Sequence, residues 1–158
     1  MASDILKLVV TMAVCFGAAA AGSLATTPNL AGWYAAINKS PLNPPGWVFG
    51  PVWTLLYLLM AISAWLVWKK GLNSPYVKIA LFLFLLQLLV NVLWSVSFFG
   101  LHSPALAFGV IIILWLLILF TIIYFFKVNA LSGWLMVPYI LWVSFASFLN
   151  LSVALLNR

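Results

Sequence analysis

Polar positions along this chain are sparse enough to act as punctuation. Between them lie five apolar stretches, at about Ile5–Thr26, Gly46–Trp68, Lys78–Phe99, Pro104–Phe126 and Ser132–Leu156. Each is long enough to cross a bilayer as a helix, which takes about 20 residues. Runs such as Val110 to Leu119 do not alternate, whereas the strands of a membrane β-barrel do. Helices satisfy their backbone groups internally, as lipid requires. The breaks carry turn chemistry: Gly71, Asn73, Ser74 and Pro75; Gly100, His102, Ser103 and Pro104; then Asn129 to Gly133. Such short connections predict antiparallel neighbours. The expectation is an all-α integral membrane protein, a bundle of five transmembrane helices forming one domain over residues 1–158.

The first stretch has features of a cleaved signal peptide: Lys7, an apolar run and small residues near Ala18 to Ser23. The run lasts long enough to span, so a retained helix is expected. Gly17, Ala18, Ala21 and Gly22 form two small-xxx-small pairs that allow close backbone approach. Packing within the bundle is expected there in preference to a dimer contact.

Composition agrees. Apolar residues make up 67% of the chain and charged residues 5%, against roughly half and a quarter in soluble domains. Asp4 is the sole acid, His102 the sole histidine and Cys15 the sole cysteine. Paired-carboxylate catalysis, a Ser-His-Asp triad and a metal site each need more than this. No metal is expected, and an internal disulfide is impossible. The net charge of +6 gains meaning from position. Lys7, Lys69, Lys70, Lys78 and Lys127 fall on one side of five crossings, Lys39 and Arg158 on the other. In a plasma membrane, the positive-inside rule then predicts a cytoplasmic N-terminus. The charges are dispersed at helix ends, so lipid is expected as a partner and nucleic acid is not.

Residues 27–45 form a long first loop. Five of the eight prolines fall between Pro28 and Pro51, around Trp33-Tyr34 and Lys39-Ser-Pro-Leu-Asn-Pro-Pro45. Proline fixes φ, so a stiff lid is expected; an interfacial aromatic belt is the plainer alternative. The helices favour the lid. Phe49, Trp53 and Tyr57 share one face of the second span. Gln87, Asn91, Trp94, Ser95 and Phe98 share one of the third, and Tyr139, Trp142, Ala146 and Asn150 one of the fifth. Trp94 and Trp142 fall near mid-span, where a belt does not reach. Gln87 and Asn91 must face the bundle interior or a cavity. As interhelical links they contribute about 0.6 kcal/mol each. Beside three aromatic faces they point to a binding pocket, mostly apolar with a few placed polar groups. Such a pocket suits a large, flat, apolar ligand, a tetrapyrrole or a sterol. Lys39 is a candidate partner for a ligand carboxylate, or simply a solvated loop charge. A small ion is not expected, because no charge lies within the spans.

At these residues the chain resembles the tryptophan-rich sensory protein family, also called the translocator protein or peripheral benzodiazepine receptor family. The matching blocks are Trp33-Tyr34; Asn43-Pro-Pro-Gly-Trp-Val-Phe-Gly-Pro-Val-Trp53 with Thr54-Leu-Leu-Tyr57; Asn91-Val-Leu-Trp94; and Pro138-Tyr-Ile-Leu-Trp142, through Ala146 to Leu149-Asn150. The resemblance implies a five-helix membrane protein, commonly a homodimer. It implies binding of porphyrins, including haem precursors, and of benzodiazepine-type drugs, with sterols in some members. No cofactor is required; porphyrin is the ligand. Carried over by position, the wall comprises Tyr34, Pro44, Phe49, Trp53, Tyr57, Asn91, Trp94, Phe98, Trp142 and Ala146. Tyr34 and Trp142 match residues linked to light-dependent porphyrin breakdown, the one sense in which they would be catalytic. Two departures stand out. Leu42 occupies a position where the family usually has tryptophan, and residues 149–158 lack the tyrosine of the proposed sterol motif. Sterol specificity is therefore not predicted.

The leading expectation is a porphyrin-binding membrane receptor or carrier with a regulatory or stress-sensing role. A light-dependent porphyrin-degrading enzyme is the alternative. A secondary transporter is the third reading; the lack of acids within the spans counts against proton coupling.

Overall fold

A computed structural model describes residues 2–158. They form α1 (Ala2–Asn29), α2 (Gly46–Trp68), α3 (Pro75–Ser95), α4 (Pro104–Val128) and α5 (Ala130–Leu156). Single π-helical segments, Leu30–Tyr34 and Val96–Gly100, extend α1 and α3. All five helical stretches are long and apolar enough to cross a membrane. The protein is an all-α, multi-pass membrane protein.

Pro75 and Pro104 occupy the first turns of α3 and α4, where the missing N–H had no helical partner to lose. Helix α3 accordingly starts three residues earlier than the apolar pattern indicates. The α4–α5 connection is tighter than expected. Asn129 alone is extended, and its side-chain oxygen accepts from the Ser132 backbone N–H at 3.3 Å. With that cap in place, α5 begins at Ala130, two residues before the expected stretch.

The larger correction concerns the first loop. Residues 27–36 are helical, so only 37–45 are irregular. Pro28 removes one helical donor, yet nearby side chains bond the preceding turn. Thr26 Oγ1 donates to the Gly22 carbonyl at 3.0 Å and Asn29 Nδ2 to the Ala25 carbonyl at 2.9 Å. The donor that Pro28 lacks would have served the Leu24 carbonyl, so these bonds hold the turn around the proline without replacing it.

Helix α4 packs against α3 and α5, α1 against α2 and α3, and α2 against α5. The core interlocks Met60 and Ala64 of α2, Phe84 of α3, Ile118 and Phe125 of α4, and Met136 of α5. The small residues of α1 divide by face. Ala18 packs on this core, and a Cβ on Gly22 would lie 3.2 Å from Ser95 Oγ. Gly17 and Ala21 face outward.

Two clasps define one end of the bundle. The Asn38 backbone N–H donates to Asn157 Oδ1 at 2.9 Å, and Asn157 Nδ2 donates to the Asn38 carbonyl at 2.9 Å. His102 Nε2 lies 2.8 Å from Asn29 Oδ1, and its ring stacks on Trp33 at 4.7 Å. The first loop, the α3–α4 connection and the C-terminus therefore share an end. Lys7, Lys69, Lys70, Lys78 and Lys127 lie toward the other.

Candidate functional site

A cavity of about 620 Å³ occupies the loop end of the bundle. Helix α2 supplies Phe49, Trp53 and Tyr57; α3 supplies Asn91, Trp94 and, through its π segment, Phe98; α5 supplies Trp142, Ala146 and Asn150. Tyr34 and Asn43 form the roof, while α4 contributes no wall residue. Rows spaced by three or four residues explain why each helix presents several of these side chains together. Both π segments deliver wall residues: Leu30 and Tyr34 from one, Phe98 and Phe99 from the other. Such segments recur at functional sites because they re-aim side chains within a helix.

Nine of the ten wall residues expected from sequence line this cavity. Pro44 does not. Its carbonyl accepts from Asn43 Nδ2 at 3.1 Å, and it is Asn43 that reaches the cavity. Asn43 Oδ1 also accepts from the Tyr34 hydroxyl at 3.0 Å, which ties the roof to the end of α1. The rings pack edge to face, tilted or stacked. Phe49 meets Trp142 at 6.0 Å, Trp53 meets Tyr57 at 5.7 Å, and Trp94 stacks on Phe98 at 5.6 Å. Trp142 lies near the middle of α5. Trp94 lies in the outer part of α3, six residues before its π segment ends at Gly100, and not at mid-span as expected.

Beneath the cavity runs a buried chain of hydrogen bonds. The Tyr57 hydroxyl donates to Asn91 Oδ1 at 3.0 Å, and Asn91 Nδ2 donates to the Tyr139 hydroxyl at 2.7 Å. Tyr139 donates onward to Gln87 Oε1 at 2.9 Å. Asn91 thus acts as both interhelical link and cavity wall. Gln87, fully buried, is a link only. A second link runs from Trp94 Nε1 to Asn150 Oδ1 at 2.9 Å, and from Asn150 Nδ2 to the Pro104 carbonyl at 2.7 Å. Trp142 differs: its indole Nε1 is buried without a hydrogen-bond partner.

Lys39 does not line the cavity. Its ammonium donates to the carbonyls of Tyr34 at 2.6 Å, Ile37 at 2.9 Å and Ala35 at 3.3 Å, and lies over the Tyr34 ring. It serves as a cap on the unsatisfied carbonyls that end a helix. The expected carboxylate partner is therefore engaged elsewhere. Leu42 points outward, 64% exposed, so the leucine-for-tryptophan departure leaves the wall intact. Trp47, five residues on, is 76% exposed and lies on the wall.

Sequence reasoning missed the contribution of α1. Ala19, Gly22, Ser23 and Thr26 line the cavity at helical spacing. The available signal was a row of small residues, which leaves room where aromatic rows fill it. Several wall residues on α1 and α2, among them Phe16, Leu30 and Trp47, are also exposed. The cavity therefore opens between those two helices toward the lipid-facing surface. Among the described residues, no acidic, basic or thiol side chain lies on the wall. Among the described residues no group of three or more His, Cys, Asp or Glu side chains could hold a metal ion.

Fold and site together define a multi-pass membrane protein with an uncharged aromatic cavity inside the bundle. The TspO/MBR family model matches residues 10–156, and the chain belongs to that family. It is 39% identical to Tryptophan-rich protein TspO of Chlorobaculum tepidum, over 96% of this chain and 98% of that one. It is 38% identical to the Tryptophan-rich sensory protein of Cereibacter sphaeroides, over 88% and 87% of the two chains. With the Translocator protein of Homo sapiens it shares 34% identity, over 77% and 72%. Membership supports a membrane receptor or sensor role.

Proposed function

We propose that the protein is a membrane receptor or carrier for porphyrins and similar flat hydrophobic molecules, which it takes up in the aromatic cavity. The volume of about 620 Å³ falls within the roughly 300–1,000 Å³ usual for ligand pockets. The observation that carries the reading is the Trp142 indole N–H, buried beside the cavity without a partner. A buried donor left unpaired is costly, and a carboxylate or carbonyl oxygen of a bound ligand would satisfy it. The surrounding indole, phenol and phenyl rings supply stacking surface. Protoporphyrin added to the purified protein is expected to quench tryptophan fluorescence saturably. Trp142→Phe keeps much of the apolar surface and removes the N–H, so affinity should fall about fivefold, from a hydrogen bond worth about 1 kcal/mol. Trp142→Ala should lose more. If Trp142→Ala and Tyr34→Phe leave both quenching and affinity unchanged, the site is wrong.

A second reading rests on the absence of acid–base groups from the wall. Any chemistry there must be the ligand's own, begun by light that the bound porphyrin absorbs, with Tyr34 and Trp142 lining the cavity beside it and the protein supplying geometry. It requires repeated turnover in light and none in darkness. A single stoichiometric conversion, with the protein's own indoles oxidised, refutes enzymatic breakdown.

A further inference from the structure

A second recess, of about 290 Å³, lies toward the opposite end of the bundle. Buried Thr11, Ala64 and Phe84 form its floor. Val10 and Val14 of α1 rim one side and Leu85 of α3 the other, each more than a third exposed. The Thr11 hydroxyl is spent on the Leu8 carbonyl at 3.0 Å, so the recess is apolar.

The charges beside it are not random. Lys7 precedes Thr11 by four residues, and Lys78 precedes Leu85 by seven. Residues so spaced share a helix face. Both lysines therefore lie on the recess faces of their helices, nearer the lysine-rich end, Lys7 about one turn from Thr11 and Lys78 about two turns from Leu85. Lys69 and Lys70 directly follow Trp68, another wall residue. The one acid of the chain, Asp4, lies 3.6 Å from Lys7, so cations outnumber anions around the recess. From Lys7 to Val14, and from Lys78 to Leu85, the helix rises about 10 Å.

We propose that this recess seats one acyl chain of an anionic membrane phospholipid, with the headgroup phosphate held between Lys7 and Lys78. In a bilayer the apolar wall gains little from a chain that could equally lie among other lipids. Selectivity must come from the headgroup, and lysines at the ends of membrane helices attract anionic lipid. The site is separate from the aromatic cavity and does not depend on what that cavity binds.

Native mass spectrometry of the full-length protein in detergent tests it, with phosphatidylglycerol and phosphatidylcholine of identical chains as probes. One phosphatidylglycerol should be retained per chain, in clear preference to phosphatidylcholine, and inorganic phosphate should not displace it. At about fivefold per surface lysine, the Lys7→Gln/Lys78→Gln pair should weaken retention at least tenfold. Lys127→Gln, at the same end but on α4 over the Tyr124 ring, should change it less than twofold. Leu85→Trp, which fills the rim without touching charge, should also reduce retention. Equal retention of the two lipids, or equal loss from the Lys127 variant and the Lys7/Lys78 pair, overturns the proposal. So does full competition by inorganic phosphate, which would mark a free-anion site. A single cooperative thermal transition in detergent confirms that each variant is folded.

Discussion

Tyr139→Phe isolates the buried hydrogen-bond chain. The tyrosine is almost wholly buried, and its ring meets Trp53 edge to face at 6.2 Å. Phenylalanine keeps the ring and removes only the hydroxyl, which accepts from Asn91 at 2.7 Å and donates to Gln87 at 2.9 Å. Interhelical hydrogen bonds in membranes average about 0.6 kcal/mol, so two are worth about 1.2 kcal/mol. Leaving the Asn91 amide and the Gln87 carbonyl unpaired in the interior adds a further cost, for a total of about 1–3 kcal/mol. At roughly 2–4 °C per kcal/mol for chains of this size, the unfolding midpoint should drop by about 2–12 °C. Thermal unfolding in detergent, followed by tryptophan fluorescence, reads that shift. A cycle with Gln87→Leu sharpens it. Because the two residues share a bond, the double variant should be less destabilised than the sum of the singles by about 0.6 kcal/mol or more. A midpoint within 1 °C of the parent, or strict additivity, would falsify the network as described.

Other consequences follow from single contacts. A Cβ on Gly133 would overlap the Phe126 ring, which also packs edge-on against Trp134 at 5.4 Å; Gly133→Ala should therefore cost about 1–3 kcal/mol, with Phe126→Leu restoring part of the loss in thermal unfolding. Lys39→Met removes the cap on three carbonyls and should speed amide exchange around residues 34–39. It should leave unchanged the ratio of affinities for a porphyrin diacid and its dimethyl ester, a ratio that would shift if Lys39 held a ligand carboxylate. Asn157→Ala breaks the clasp on Asn38; hydrogen exchange in residues 37–45 should rise while the spans stay protected, and uniform protection would show that the clasp is dispensable.

The five helices were legible because lipid leaves the backbone no alternative and because each apolar run exceeds a bilayer's thickness. Their ends were less so. Pro28 reads as a helix breaker, yet Thr26 and Asn29 bond the carbonyls around it, and such side-chain bonds are not encoded in periodicity. The fifth stretch reads from Ser132, yet α5 begins at Ala130, because Asn129 makes the turn alone. Aromatic rows at three- and four-residue spacing gave away the cavity walls on α2, α3 and α5. The α1 wall is built from Ala19, Gly22, Ser23 and Thr26, whose contribution is the space they leave, and absence of bulk carries little pattern. Pro44 was misplaced because sequence reads a loop residue's position along the chain and not the direction in which it faces. The capping role of Lys39 was not legible, because its partners are backbone carbonyls, which every residue carries.

Link and wall are coupled through helix register. Tyr57 follows Trp53 by four residues on α2, Asn91 precedes Trp94 by three on α3, and Tyr139 precedes Trp142 by three on α5. Each member of that triad of polar partners is thus about one turn from an indole of the cavity wall on the same helix. Lipid provides no hydrophobic force between helices, so directional bonds carry much of the register. Turning any of the three helices by one residue, about 100°, would break the link and swing its indole out of the cavity. Tyr139→Phe touches no wall surface, yet it should weaken protoporphyrin binding severalfold by loosening that register. Trp115→Phe supplies the comparison. It also removes an interhelical bond, from Trp115 Nε1 to Ser144 Oγ at 2.8 Å, but on α4, which carries no wall. It should lower stability with little effect on affinity. Equal loss of affinity in both variants would mean that general stability, and not register, governs the shape of the cavity.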